Sequence, residues 1–204
     1  MPEADIAAYS KEYFYEAVVP VDLAEFIYLS LIHSCAIKNF KSTTVRLKMR
    51  IKNLMDHPDY LHATTDLLFN EWSHLPSWAG LQQIRTRLIE RNSTDSRQFT
   101  LVALDAQDTV TAAGSLICYE LKDDPARIYW LGEVITRSTH RGQGIGTELV
   151  KRIIELSAQQ NITELWLYTP DKQSLYRNLG WVEQEQRIVA GELVTVMVRK
   201  LSCQ

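Results

Sequence analysis

The chain has 204 residues and a formal net charge of −3, from 22 Lys and Arg against 25 Asp and Glu. A chain of this length buries about 70% of its unfolded surface, so it can fold without disulfides or a metal, as one large domain or one domain with an appendage. The mixed and slightly acidic charge argues against a nucleic-acid-binding protein, which requires a basic face. We therefore expect no nucleic-acid partner.

The cysteines and the hydrophobic stretches indicate where the protein resides. Cysteine occurs at three widely spaced positions, Cys35, Cys118 and Cys203, as is typical of reduced thiols in a cytoplasmic protein. The first residues lack the basic and apolar regions of a signal peptide. The most hydrophobic stretch, Leu23 to Ile37, contains ionisable side chains and is shorter than the ~20 residues that span a bilayer. We expect a cytoplasmic protein with no membrane partner.

The N-terminal part of the chain differs from the remainder. Apolar residues at helical spacing predict a helix from Asp22 to Ala36, after the break at Pro20. Met49 falls at the start of the first strand expected in the main body. We therefore predict a mostly helical extension over residues 1–48 and a domain over residues 49–204.

Within that domain, strand and helix patterns alternate irregularly. The predicted strands are Met49 to Leu54, Phe99 to Leu104, Ala112 to Leu121, Ile128 to Thr136, Leu165 to Thr169, Trp181 to Ile188 and Leu193 to Lys200. The first predicted helix follows His57-Pro58-Asp59, has an apolar stripe through Leu61, Leu68, Phe69 and Trp72, and is ended by Pro76. The other predicted helices are Leu81 to Arg91, Thr147 to Gln159 and Asp171 to Leu179. Turn residues after the second and sixth of these strands indicate antiparallel hairpins. The fold class is therefore α+β, with a mostly antiparallel sheet.

A glycine-rich segment, Thr139 to Gly146, connects a predicted strand to a predicted helix. Such a turn leaves backbone N–H groups unpaired at the positive end of the helix dipole, where a phosphate or pyrophosphate binds. Glycine suits this position because it adopts positive φ and lets an anion approach the backbone. The segment therefore predicts a nucleotide- or cofactor-binding turn.

Two common phosphate-binding turns do not fit this segment. A P-loop requires a Lys directly after its last glycine, and here Gly146 is followed by Thr147. A Rossmann turn requires glycine at three spaced positions, and the sequence from Gly142 through Gly144 to Thr147 breaks that spacing. Rossmann chains also alternate strands and helices, which the hairpins here do not.

The segment resembles the cofactor turn of the GNAT superfamily of acyl-CoA N-acyltransferases. Arg141 to Gly146, in sequence Arg-Gly-Gln-Gly-Ile-Gly, matches the family motif of Gln or Arg, two residues, Gly, one residue, and Gly or Ala. Leu175 to Trp181 is similar to a second family element, which contains a tyrosine after Phe or Leu and ends in Gly and an aromatic residue. The resemblance covers about Arg50 to Leu201.

The resemblance implies a fold, a cosubstrate and a binding site. The implied GNAT fold is a mixed, mostly antiparallel sheet of six to seven strands flanked by helices, with a splayed central strand pair. The implied cosubstrate is acetyl-CoA, with no metal: its pyrophosphate would lie on the glycine turn and its pantetheine amides along the preceding strand. The implied cofactor-binding residues are Val134, Ile135, Thr136, Arg141, Gly142, Gln143, Gly144, Ile145, Gly146, Thr147 and Thr169, the last standing where many members have Asn.

The resemblance also implies catalytic residues. Tyr176 matches the tyrosine that protonates the departing thiolate, and the alternative is that it only packs beside the cofactor. Glu133, on the strand before the turn, could be the base that deprotonates the amine, directly or through water; alternatively it could pair with a nearby arginine or lie on the far face of the pleat. Glu71 and His74 lie where the acceptor pocket is often built, although a solvated helix end explains them equally well. Ordered water can also serve as the base.

Three functions remain compatible with these residues. The first is an N-acetyltransferase that transfers the acetyl group of acetyl-CoA to a primary amine of a small molecule by direct attack. The second uses a protein N-terminus or lysine as the acceptor, and the third is a non-catalytic acyl-CoA-binding module. The terminal strand could also pair across a homodimer.

Overall fold

The computed structural model describes residues 13–19, 45–93, 97–122 and 124–202. The strands are β1 (Tyr13–Val19), β2 (Val45–Asn53), β3 (Phe99–Leu104), β4 (Val110–Cys118), β5 (Tyr129–Thr136), β6 (Glu164–Thr169), β7 (Val182–Val189) and β8 (Glu192–Lys200). The helices are α1 (Leu61–Trp72), α2 (Leu81–Arg91), α3 (Ile145–Gln159) and α4 (Gln173–Asn178). No helix in the described ranges has the length and apolar character needed to cross a membrane.

The described strands form one eight-stranded sheet in the order β1-β2-β3-β4-β5-β6-β8-β7. Neighbouring strands are antiparallel except β5 and β6, which are parallel because α3 connects them across one face. The predicted α+β class with a mixed, mostly antiparallel sheet is confirmed. The strands from β2 to β8 supply the seven that were expected, and β1 adds the eighth at the edge.

The two faces of the sheet are covered by different helices, and the pleat of β4 shows why. Ala113 packs with α1 and α2 in one buried cluster, on what we call the α2 face. On the opposite face, the α3 face, Gly114 lies beneath Leu149 and Ile153, so closely that a Cβ there would be 3.0 Å from the Ile153 Cδ1 atom. Leu149 and Ile153 are fully buried, and each stabilises the fold by roughly 1.5–3 kcal/mol. A larger residue at Gly114 would force α3 away from the sheet.

The N-terminal extension contributes a strand to this sheet. β1 pairs antiparallel with β2 from Tyr13↔Ile51 to Val19↔Val45. Because β2 begins at Val45, the boundary expected between residues 48 and 49 falls inside a strand. The helix expected from Asp22 to Ala36 lies outside the described residues, so the mostly helical extension stays a prediction.

Candidate active site

A slot opens where the two parallel strands at the centre of the sheet diverge. β5 and β6 are paired only at Trp130↔Trp166, and the indole rings of these residues lie 6.1 Å apart. Beyond that position β6 continues to pair with β8 as far as Thr169, while β5 pairs with β4 as far as Thr136. The facing edges of β5 and β6 therefore have free backbone groups toward their carboxyl ends, and the expected splayed pair is confirmed.

A β-bulge lies in β5 at the start of this slot. Ser115 pairs with Gly132 and Ala113 pairs with Ile135, so β5 has one residue more than β4 between the paired positions. The extra residue, Glu133, has a φ of 55°, a left-handed conformation that costs a non-glycine residue on the order of 1–3 kcal/mol. The bulge interrupts the alternation of side chains and aims the Glu133 carboxylate toward the α2 face.

The Glu133 carboxylate is held by an arginine of α2. Arg91 donates to Glu133 Oε2, and the Ser115 hydroxyl donates to the same oxygen at 2.9 Å. The side chains of Arg91 and Glu133 are only 8% and 6% exposed. Both hydrogen bonds go to one carboxylate oxygen, and they tie the side chain to α2 and to β4. The contacts therefore support the alternative that Glu133 pairs with an arginine, and its role as the base stays a prediction.

A second carboxyl group reaches the same face from the loop after β4. The hydroxyl of Tyr168 on β6 donates to Glu120 Oε1 at 3.3 Å. Burial, reinforced by the nearby Glu133, raises the pKa of Glu120 above its ordinary value. Burial and then the charge of Glu120 raise the pKa of Tyr168. Sequence reasoning missed this pair because no motif links a loop glutamate to a strand tyrosine 48 residues away. The signal available was a tyrosine, Tyr168, on the strand that was expected to splay.

The glycine turn follows β5 at the open end of the slot. Gly142 and Gly144 have φ of 77° and 78°, and Gly144 is the N-cap of α3. A Cβ at either position would meet no neighbour within 4 Å, so their requirement for glycine is conformational rather than steric. No side chain caps α3, and the first intrahelical bond runs from the Glu148 N–H to the Gly144 carbonyl. The N–H groups of the first turn, including those of Ile145 to Thr147, therefore lack intrahelical partners and can bind an anion.

Arg141, the first residue of the motif, is tied to two elements. Its guanidinium donates to both carboxylate oxygens of Glu71 at the end of α1, at 2.7 and 2.9 Å, and to the Thr136 carbonyl at 3.0 Å. Glu71, one of the residues considered for the acceptor pocket, thus contacts the cofactor turn, whereas His74 is exposed beyond α1. The bidentate pair connects α1 to the turn. Its partners are 51% and 38% exposed, so its contribution to stability is small.

Tyr176 lies on α4, on the α3 face of the sheet. It is 8% exposed and packs edge-on against Trp181, with ring centroids 5.7 Å apart. Burial, with a smaller effect of the Asp171 charge, raises the pKa of Tyr176 to about 12. The phenol therefore keeps its proton at neutral pH and is available as a donor.

The remaining predicted cofactor residues lie along the two sides of the slot. Ile135 is buried in the core beneath α1 and α2, whereas Val134 and Thr136 are half-buried. Thr169 is 5% exposed, and its hydroxyl accepts a hydrogen bond from the Lys172 N–H at 3.1 Å, just before α4. The structure thus gives Thr169 a local partner of its own, and its contact with a cofactor stays a prediction.

The site therefore has two sides. The α3 face carries Tyr176, and the α2 face carries Glu120, Glu133 and Tyr168, with the slot between them and the glycine turn at its open end. No group of three or more His, Cys, Asp or Glu side chains in the described ranges is arranged to hold a metal ion. The arrangement can bind an anion at the turn, an extended amide-containing chain along the free edge of β5, and a polar group on the α2 face.

Known proteins share this architecture. The model of the acetyltransferase (GNAT) family matches residues 58–181, and no curated protein matches the chain. The putative acetyltransferase yncA from Salmonella typhimurium, solved with its cofactor acetyl-CoA, is 16% identical over 76% of this chain and 94% of its own, with a TM-score of 0.61.

Two further solved structures have the same fold. An aminoglycoside 6'-acetyltransferase type Ii is 18% identical over 74% of this chain and 96% of its own, with a TM-score of 0.59. A chain of the NatC complex, bound to Gag peptide and CoA, is 17% identical over 76% of this chain and 99% of its own, also with a TM-score of 0.59. At these identities the solved structures show the fold, whereas the family model covers more than half of the chain. The chain belongs to the GNAT family of acetyltransferases.

Proposed function

We propose that this protein is an N-acetyltransferase that transfers the acetyl group of acetyl-CoA to a primary amine of a small molecule. The observation that carries the proposal is the slot between β5 and β6, which leads from the uncapped glycine turn to a buried protonated tyrosine. The match to the GNAT family supports the cosubstrate. The aminoglycoside acetyltransferase with the same fold supports a small-molecule acceptor.

The cofactor would occupy the slot along its whole length. The pyrophosphate would accept hydrogen bonds from the N–H groups between Gly142 and Thr147, because the left-handed glycines turn these groups outward. The helix dipole also favours an anion at this end of α3. The amides of the pantetheine arm would pair with the free edge of β5 at Val134 to Thr136, as an added strand does. This placement brings the thioester near the bulge, where the two strands converge.

The chemistry is direct transfer between two bound substrates. The neutral amine attacks the carbonyl carbon of the thioester, the C–N bond forms, and the C–S bond breaks. Tyr176 donates its proton to the departing thiolate, since a neutral donor limits the build-up of charge in a buried site. Glu133, tied to Arg91 and Ser115, holds the bulge in place. The cytoplasmic location and the possible homodimer stay predictions from the sequence.

Acetyl-CoA binding, measured by calorimetry, tests the cofactor site. We expect the wild type to bind and Gly144→Glu to lose at least tenfold in affinity, because a carboxylate at the turn repels the pyrophosphate. Gly191→Glu is the matched control: Gly191 also has a positive φ, 87°, and open space around it, but it lies in the exposed hairpin between β7 and β8. The control should bind acetyl-CoA as the wild type does. A folded wild type that does not bind would refute the proposal, and a binding wild type that acetylates no amine in a broad screen would restrict it to cofactor binding.

A further inference from the structure

Two carboxyl groups lie near the narrow end of the slot, and they have different partners. Beyond the paired residues Trp130 and Trp166, the polar side chains on the α2 face are Glu133 on β5 and Tyr168 on β6. Glu120 contacts Tyr168 directly and is close enough to Glu133 and Arg91 to sense their charges. Glu120 therefore lies on the α2 face, in contact with β6 and near the Glu133 carboxylate of β5.

Of the two carboxyl groups, Glu133 is the one that forms an ion pair within the described residues. Arg91 is bound to Glu133 and to the Ser115 hydroxyl. The next arginine on α2, Arg87, stacks over Trp78 at 4.1 Å and donates to a carbonyl of the same segment. In the described part of the chain no Lys, Arg or His forms an ion pair with Glu120, whose hydrogen-bond partner is the Tyr168 hydroxyl. The charges of Arg91 and Arg87 act on Glu120 without an ion-pair contact, so this half-buried carboxyl group can still accept a cationic ligand.

The side chains around Glu120 indicate which chemical group would be attached to the cationic nitrogen of such a ligand. Ile117 and Trp130 form a buried apolar cluster with Val196, and Leu121 and the ring of Tyr168 pack against it. An ammonium group bound to Glu120 would therefore have apolar and aromatic side chains around the carbon that bears it. Aromatic faces also attract cations. This combination fits a primary alkylammonium group and disfavours an acceptor with a carboxylate beside its nitrogen.

We propose that Glu120, positioned by Tyr168, binds the amino group of the acceptor as an ammonium ion and removes its proton before attack. The proposal rests on the acetyl transfer proposed above and identifies the acceptor as a primary alkylamine. The base and the acid then lie on opposite faces of the sheet, Glu120 on the α2 face and Tyr176 on the α3 face. The amine approaches the thioester from one face while the sulfur is protonated from the other.

The protons balance over the reaction. The ammonium ion gives its first proton to the Glu120 carboxylate, which releases it to solvent. The free amine attacks, the C–N bond forms, the C–S bond breaks, and the thiolate takes a proton from Tyr176. The nitrogen loses its second proton after attack, and an equivalent proton returns to Tyr176. One alkylammonium ion and one thioester thus give an amide, a thiol and one released proton.

The test compares two acceptors of similar shape in the Glu120→Gln variant. Benzylamine is a cation at pH 7 and must be deprotonated, whereas aniline is already neutral. We expect Glu120→Gln to lower kcat/KM for benzylamine by about 100-fold or more, as loss of a general base does, and to lower it for aniline by less than tenfold. Tyr168→Phe, which removes the positioning hydrogen bond, should also lower kcat/KM more for benzylamine than for aniline, by a smaller factor than Glu120→Gln does. Glu192→Gln, at an exposed site in the β7–β8 hairpin, is the matched control.

A binding measurement separates this proposal from the proposed function. The complex with CoA, which cannot react, should bind benzylamine in the wild type and lose at least tenfold in affinity in Glu120→Gln, with CoA binding unchanged. Glu120-dependent amine binding without turnover would leave the ammonium site standing and refute the acetyl transfer. Equal losses for both amines, or no loss for benzylamine, would refute the role of Glu120 while the transfer stands. Failure of the wild-type complex to bind benzylamine would also overturn the site.

Discussion

The two halves of the site are built from different parts of the protein. The proposed cofactor turn would bind its anion through backbone N–H groups of consecutive residues, between Gly142 and Thr147, and its geometry depends on left-handed glycines. The proposed acceptor side would use side chains from α2, from the loop after β4, from β5 and from β6. A backbone site is contiguous in sequence and tolerates few residue types, whereas a side-chain site is assembled by the fold and leaves no local pattern. Function is therefore easier to infer from the sequence than acceptor specificity.

The largest expected effect is on the acceptor side, where stability depends on one buried ion pair. Arg91→Ala would leave the Glu133 carboxylate without its cation and should lower the free energy of unfolding by about 3–5 kcal/mol. Urea denaturation measures the change, with Arg85→Ala, at an exposed position of the same helix, as the control. Arg91→Met combined with Glu133→Gln should recover part of the loss. A single-variant loss below about 1 kcal/mol would show that the pair is not essential to this half of the site.

The second prediction tests whether the acid operates independently of the cofactor turn. Tyr176→Phe removes the proton donor while keeping the aromatic contact with Trp181. We expect kcat to fall by about 100-fold, with acetyl-CoA affinity by calorimetry within about twofold of wild type. An unchanged kcat would leave Tyr176 as a packing residue, and a parallel loss of affinity would mean that the phenol belongs to the cofactor half.

The third prediction concerns the backbone character of the turn. Gly144→Ala adds only a methyl group in open space, but it places an L side chain at a φ of 78°. We expect a loss of about 1–2 kcal/mol in stability and a measurable loss of acetyl-CoA affinity. Gly191→Ala, at a φ of 87°, should lose stability to a similar degree and keep its affinity. If both variants bind acetyl-CoA normally, the turn does not depend on its left-handed glycine.

The fourth prediction follows from the pH dependence of Glu120. Its raised folded-state pKa means that the fold favours the protonated form. The stability that the protonated Glu120 carboxyl contributes is fully present below its pKa in the unfolded chain, and it is lost as the pH rises through its pKa in the folded protein. Glu120→Gln should therefore melt at a higher temperature than the wild type at pH 7, and the difference should shrink at pH 4. A variant that is less stable than the wild type at pH 7 would mean that contacts in the free protein offset the cost of burying the ionised Glu120 carboxylate.

The smallest expected effect is at the contact between the two halves. Glu71→Gln removes the charge that binds Arg141, and both side chains are substantially exposed. We expect a change of roughly 0.2–1 kcal/mol in stability, measured by thermal denaturation at low and high salt. Because the freed guanidinium can turn toward the pyrophosphate, acetyl-CoA affinity should rise modestly. A large drop in affinity would show instead that Glu71 holds Arg141 in its binding position.

The sequence predicted most elements from β2 to β8 because their periodicity and turn residues agree with the final packing. α2 and β3 were placed with their observed bounds. β1 was not predicted, although Tyr13–Val19 is rich in the aromatic and β-branched residues that favour strands; its partner strand β2 is what gives it a place in the sheet. The bulge at Glu133 and the pairing of that residue with Arg91 likewise depend on the register between β4 and β5 and on the position of α2. The position of Glu120 depends on where β6 diverges, which no single segment encodes.

Glu133 is also the one residue by which β5 is longer than β4 between the paired positions. Without it, one residue would separate the paired positions on both β4 and β5, with Val134 opposite Gly114. Gly132 and Ile135 would keep their sides of the sheet, because the bulge occupies one position and the alternation resumes after it. The remaining core would not need to be repacked, and Ile135 would stay opposite Ala113, so the glycine turn would keep its position relative to β4. A single codon therefore separates an ordinary strand from one that presents a carboxylate at the narrow end of the slot, and strand length in this fold can vary by one residue without inverting a face.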